Sequence, residues 1–269
     1  MRGWAKKRQR QIALPLSPTL SLPGSSPGRE RGLFRAGVAR DRGDPRTVDE
    51  RSWESLLKSA LDILDSVHDP ALGSPEVVMG GGTVLMMRMR HRLSRDIDLF
   101  LHDVQWLPRL TPRLNERIAA MALDYSEQAN SVKLVLSEGD LDFVVAGSVT
   151  GAAPRETLEF GGRKIMLDST EEILAKKLFF RAALLKPRDV FDLVAASLAA
   201  SAAVERAVEA SAPRREAQLS RLRALARAPQ SQLAQDIAPL GDFAELIPTM
   251  VDAATALIES GGRRRAQIG

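Results

Sequence analysis

Asp96 and Asp98 stand two residues apart in the run Ser94-Arg95-Asp96-Ile97-Asp98-Leu99-Phe100-Leu101. A strand alternates its side chains with a period of two. The two carboxylates therefore share one face, about 7 Å apart, while Ile97, Leu99 and Leu101 point the other way, into a core. Carboxylates so placed repel unless a cation lies between them. An all-oxygen pair suits a hard divalent ion, Mg²⁺ or Mn²⁺, of the kind that also binds substrate phosphates. Upstream lie Gly81-Gly82-Thr83, with Thr83 thirteen residues before Asp96. A glycine turn that opens a helix offers backbone N–H groups to phosphate oxygens. The two features together point to metal-dependent nucleotide chemistry.

Asp142 is a candidate third acid. It sits in Leu141-Asp142-Phe143-Val144-Val145, where all its neighbours are apolar. A lone carboxylate there is costly to bury unless it is paired or binds a metal. Asp140 competes for the role but sits in a turn, where Asp is common. If the Asp142 strand lies beside the Asp96 strand, three carboxylates converge, as a two-metal phosphoryl-transfer site requires. Otherwise Asp142 is an edge residue facing water. Downstream, Lys177 and Arg181 are four apart and share a helix face. Lys176 is off that stripe by about 100°. Two cations on a helix that is otherwise apolar suit nucleotide phosphates, although such pairs also occur on solvated faces. Arg188-Asp189 opens the next helix, with Asp192 one turn later. Acids in a first turn also complement the helix dipole.

These residues need elements to hold them. Apolar spacing predicts a helix over Val48–Val67 and a short strand over Pro75–Met79 leading into the glycines. A helix follows over Thr83–His91, then the acidic strand Asp96–Leu101. Thr111–Met121 reads as a helix with Thr as N-cap and Pro at its first position. Ser131–Leu136 and Leu141–Ala146 alternate as strands, and Glu156–Phe160 with Arg163–Leu167 form a hairpin around Gly161-Gly162. Beyond Ser169 the chain is helical: Thr170–Leu185, Arg188–Ala200, Ala203–Ala210, Arg214–Ala226, and Gln230 to the end. The expected organisation is a basic, Pro/Gly/Ser-rich arm at 1–47 without regular structure, an α/β domain at 48–168, a helical domain at 169–260 and a tail at 261–269.

Composition sets the limits. Hydrophobic residues make up 44% of the 269 and aromatics only 4%, so the core is aliphatic. The formal charge of +4 is unevenly spread. Residues 1–50 hold eleven of the 38 basic and five of the 34 acidic residues, a net of +6, which leaves the rest at −2. The high pI therefore says little about the body of the protein. No cysteine is present, which excludes disulfides and thiolate metal sites and fits a cytoplasmic protein. No apolar run is long enough for a membrane helix.

The order of motifs resembles the AbiEii-type nucleotidyltransferases, toxins of bacterial abortive-infection and toxin–antitoxin systems. The resemblance is carried by Gly81-Gly82-Thr83, then His91-Arg92-x-Ser94-x-Asp96-x-Asp98, then Lys176-Lys177-Leu178-x-x-Arg181 and Arg188-Asp189-x-x-Asp192. It spans about residues 75–200. It implies a DNA polymerase β-like fold, an α/β (α+β) core with a mixed sheet followed by a C-terminal helical domain. It also implies that Gly81, Gly82 and Thr83 form the nucleotide-binding turn, with Arg92 and Ser94 leading into the acidic strand. Asp96 and Asp98 would be metal ligands and Asp142 the third acid. Lys177 with Arg181 would hold the triphosphate, and Asp189 matches a motif where an acid is needed for activity. The implied reaction moves NMP from an NTP to a hydroxyl, with the tRNA 3′ end as the expected acceptor and a cognate antitoxin as partner. Such a protein would act in phage defence. Arg214, Arg215, Arg221, Arg223 and Arg227 could meet RNA or could form a solvated face. Phosphorylation of Ser94 would put about −2 charge beside the carboxylates. A non-catalytic module of the same fold would carry a damaged acidic site. A transferase acting on protein or a small molecule would keep it intact.

Overall fold

A computed structural model describes residues 51–70 and 73–268, with side chains to Gly261. The expectation for residues 1–47 lies outside the described residues. Helix α1 (Trp53–Ser66) forms where Leu56, Leu57, Ala60, Ile63 and Leu64 recur at helical spacing, and all five are buried. It packs on one face of a mixed sheet, against the second and fifth of the strands described next.

The sheet has β1 (Val77–Gly80), β2 (Ile97–Leu101), β3 (Asp124–Gln128), β4 (Ser131–Val135), β5 (Asp140–Val145), β6 (Glu156–Phe160) and β7 (Arg163–Leu167). Their spatial order is β3-β4-β5-β2-β1-β7-β6. The pairs β1/β7 and β2/β5 are parallel and the other neighbours antiparallel. On β2 and β5, Ile97, Leu99, Leu101, Leu141 and Phe143 are fully buried, while Asp98, Phe100, Asp142 and Val144 alternate with them on the opposite face. That period-two pattern sets the register, because a one-residue slip would put carboxylates into the core.

Between β1 and β2 lies α2 (Gly81–Met89), and α3 (Glu116–Met121) precedes β3. After β7 the chain is helical, through α4 (Thr170–Phe180), α5 (Pro187–Ala199), α6 (Ser201–Ala210), α7 (Arg215–Leu225), α8 (Gln230–Ala234) and α9 (Met250–Ile268). One hydrophobic cluster runs from α1 through the sheet to α9. No described helix is long and apolar enough to cross a membrane.

Four local expectations need correction. Helix α3 starts at Glu116, with the Asn115 side chain accepting from Arg117 and Ile118 N–H, whereas the Thr111 hydroxyl donates to Glu127 instead of capping a helix. Strand β3 was not expected, since all five of its residues are exposed and it shows no apolar alternation. Helix α4 stops at Phe180, and a short 3₁₀ turn over Ala182–Leu184 precedes Pro187 at the start of α5. The segment from Gln230 is broken between α8 and α9 by a 3₁₀ turn at Gly241–Leu246, where Gly241 has φ +54°.

Candidate functional site

The glycine turn sits where β1 passes into α2. Gly80 is the register partner of Asp98 on β2. Gly81 has φ +73°, and a Cβ there would lie 1.7 Å from Asp98 Oδ2. Glycine is required at this point twice over, by the backbone angle and by the approach of the carboxylate. A Cβ on Gly82 would come within 2.6 Å of Arg92 Nη2 and 2.8 Å of Ser94 Oγ. Thr83 is fully buried. Its hydroxyl donates to the Asp96 carbonyl at 2.6 Å and lies 3.2 Å from Ser94 Oγ, whose hydroxyl can donate to it. Thr83 thus fastens α2 to the segment that carries Asp96, and it does not line the pocket.

Asp98 and Asp142 are direct register partners on neighbouring parallel strands, and Asp96 lies just before β2. The three carboxylates line one pocket of about 320 Å³, together with Gly81, Gly82, Arg92, Ser94, Lys177 and Arg181. Burial pushes the Asp96 carboxyl up, and Asp140 and Asp98 push the same way against Arg188 and Lys133. Burial also raises Asp142, with Asp98 adding to it and Lys133 opposing. Asp98 thus opposes ionisation of both Asp96 and Asp142. Lys133 Nζ stands 3.0 Å from Asp140 Oδ2 and 3.3 Å from Asp142 Oδ2. Arg188 Nη1 lies 3.8 Å from Asp96 Oδ2. Among the described residues, no three His, Cys, Asp or Glu side chains are close enough as placed to grip an ion together. The donor chemistry still fits one: all ligands are oxygen, and their mutual repulsion is what a hard divalent cation relieves.

Helices α4 and α5 form the other wall. Lys177 Nζ contacts Asp189 Oδ1 at 2.6 Å and Asp192 Oδ2 at 3.1 Å. Arg181 Nη1 contacts Asp189 Oδ1 at 3.0 Å, with its side chain 39% exposed. Asp189 is buried away from the pocket lining and pairs with both of these cations. Its burial opposes ionisation, but Lys177 and Arg181 outweigh that and bring its carboxyl down to about 2. Asp192 is fully buried and receives Arg92 Nε at 2.6 Å, Arg92 Nη2 at 2.9 Å and His91 Nε2 at 2.8 Å. Burial again works against the charge, and Arg92, Lys177 and His91 hold it well below the usual carboxylate range. The His91–Leu93 segment is itself pinned from the C-terminal part, where Leu93 N–H donates to Ala238 O and Leu240 N–H to His91 O.

The expected site left out several charged residues at or beside the pocket. Lys176, off the expected cationic stripe, lines the pocket, pairs with Asp168 at 2.7 Å and lies 3.7 Å above the Phe100 ring. Arg188 adjoins the Asp189 motif and so had a local signal. Lys133 had one too: Val132 and Leu134 are buried, so Lys133 faces the side shared with Asp142. Asp192 belonged to the Arg188-Asp189-x-x-Asp192 motif, but nothing local named its partners His91 and Arg92, which lie about a hundred residues upstream.

Residues 62–257 match the family described as nucleotidyl transferase AbiEii toxin, type IV TA system. Neither the curated proteins nor the solved structures contain a match.

Proposed function

The chain belongs to the AbiEii family of nucleotidyltransferase toxins of type IV toxin–antitoxin systems, and on that premise we propose that it transfers NMP from an NTP to the hydroxyl at a tRNA 3′ end. The observation that carries this reading is the register of Asp98 with Asp142, set against the Gly80–Gly81 turn in one pocket. NTP is the substrate and a cognate antitoxin the partner implied by the family. The finer elements of the proposal are Mg²⁺, the tRNA acceptor and the residue roles. Phage defence and a cytoplasmic location belong to the same reading.

Asp96 and Asp98 would hold Mg²⁺, or Mn²⁺ in its place. When bound, such an ion supplies positive charge to the phosphate oxygens and lowers the pKa of a hydroxyl that it touches. The N-terminus of α2 at Gly81 and Gly82 would present backbone N–H groups to the triphosphate. Arg181 keeps solvent exposure and would meet the β- and γ-phosphates. Lys177 would add charge from behind, fixed in place by Asp189 and Asp192. Ser94 and Arg92 would close the pocket over Gly82. Asp142, with its carboxyl raised by burial, suits acceptance of the acceptor's proton. The acceptor oxygen then bonds to the α-phosphorus, the bond from that phosphorus to the bridging oxygen breaks, and pyrophosphate leaves.

The test supplies each labelled NTP, Mg²⁺ and total tRNA. Label should appear in RNA with the native protein and disappear with Asp96→Ala. Label in protein or a small molecule would replace the acceptor assignment. Label transferred by Asp96→Ala would remove the site assignment, and no label anywhere would return the chain to a non-catalytic module.

A further inference from the structure

Four carboxylates and two cations meet at the acidic side of the pocket. Asp140 and Asp98 act on Asp96, and Asp98 and Asp96 act on Asp142. Among them stand Lys133, bridging Asp140 and Asp142, and Arg188, near Asp96. Arg181 faces Asp98 and Asp142 from the opposite wall.

The place of Lys133 is built into the sheet. Strand β4 pairs antiparallel with β5 so that Lys133 lies directly opposite Asp142. Val132 and Leu134, on either side, are buried on the other face. A strand that buries those two must send Lys133 out beside Asp142. Cross-strand neighbours of opposite charge at this spacing attract. The ammonium therefore stands beside the third acid in every molecule that folds in this register.

We propose that the Lys133 ammonium takes the position of a second metal ion at the third acid, so that the protein's own carboxylates bind one divalent cation, at Asp96 and Asp98. This rests on the ion-holding reading of those acids and goes beyond it by fixing the number of ions and assigning Lys133 as a positioning residue. A tethered ammonium at contact distance repels a divalent ion from Asp142. It also satisfies one oxygen of Asp142 and leaves the other for the acceptor's proton. Removing the ammonium leaves Asp140 and Asp142 unbalanced, and the cluster then draws in a second ion.

The experiment titrates Mn²⁺ into the full chain without nucleotide and reads free Mn²⁺ by its paramagnetic resonance signal. The native protein should bind one ion per chain. Lys133→Met, which keeps the length and removes the charge, should bind two, and so should Lys133→Gln. Lys133→Arg should stay at one. Asp98→Asn should lose the native ion, which ties that ion to this pocket. Two ions bound by the native protein would overturn the proposal and leave the ion-holding reading standing. So would one ion, with unchanged affinity, in folded Lys133→Met and Lys133→Gln. No Mn²⁺ bound by any of the proteins would overturn the ion-holding reading itself.

Discussion

Replacing Asp192 by Asn should destabilise the protein far more than its small change in shape suggests. Asp192 is fully buried, and four charged or polar donor atoms converge on its carboxylate: Arg92 Nε at 2.6 Å, His91 Nε2 at 2.8 Å, Arg92 Nη2 at 2.9 Å and Lys177 Nζ at 3.1 Å. An asparagine in the same place carries no charge and points an NH₂ at donors. Lys177 still has Asp189 at 2.6 Å. Arg92 keeps the Leu93 carbonyl at 3.1 Å and at most one amide oxygen, with no counter-charge at 192, and its guanidinium is buried. Breaking a buried pair from one side costs about 3–5 kcal/mol, a large part of a total of about 5–15 kcal/mol. At about 2–4 °C per kcal/mol for a domain of this size, Tm should fall on the order of 10 °C. Asp189→Asn is the matched control. There Lys177 keeps Asp192 at 3.1 Å, and Arg181, already 39% exposed, can turn to water. The cost should be nearer the 1–3 kcal/mol of a lost charged hydrogen bond. Thermal unfolding at pH 7, followed by calorimetry or circular dichroism, measures both. The reasoning fails if Asp192→Asn melts within about 2 °C of the native protein, less than 1 kcal/mol on that scaling. It also fails if Asp189→Asn is the more damaged of the two.

Two further outcomes follow from the same geometry. Asp189 ionises at about 2 in the fold, against 3.8 for an ordinary Asp carboxyl. A depressed pKa gives stability that is present above the unfolded value and is lost as the pH falls through the folded one. That contribution, roughly 2 kcal/mol at about 1.4 kcal/mol per unit, should disappear between pH 5 and pH 2, and the Tm–pH curve of Asp189→Asn should be flatter across that window. An equal slope in both proteins would show that other carboxylates govern acid unfolding. Gly81→Ala faces a backbone at φ +73° and a Cβ position 1.7 Å from Asp98 Oδ2. The angle alone costs about 1–2 kcal/mol. The displaced Asp98 should lower NMP transfer by about a hundredfold, the loss expected of a misplacement of about 1 Å. Full activity with Asp98 unmoved would contradict the close approach.

The acidic strands were legible in the sequence because they obey a local rule. Alternation in Ile97–Leu101 and Leu141–Val145 gives each strand and the face its carboxylate takes, whereas the pairing that sets Asp98 opposite Asp142 comes only from the fold. The glycine turn was legible for the same reason, as was the mixed α/β architecture that alternating strands and long helical periods imply. Strand β3 escaped because both its faces are exposed, so burial leaves no period to read. The cations behave differently. Spacing placed Lys177 and Arg181 on one helix face, yet spacing says nothing of where their charge is balanced. A buried ammonium needs a counter-charge, and here Asp189 and Asp192 supply it from the next helix, with Asp192 also gathering His91 and Arg92 from about a hundred residues upstream. That junction ties three parts of the chain together: the segment after α2, the end of α4 and the start of α5. Its members are held by ionic contacts whose partners only the folded arrangement identifies. The pocket's acidic side is therefore fixed by strand register, and its basic side by a buried charge network. A substitution in the first should disturb chemistry while sparing the fold, and a substitution in the second should disturb both.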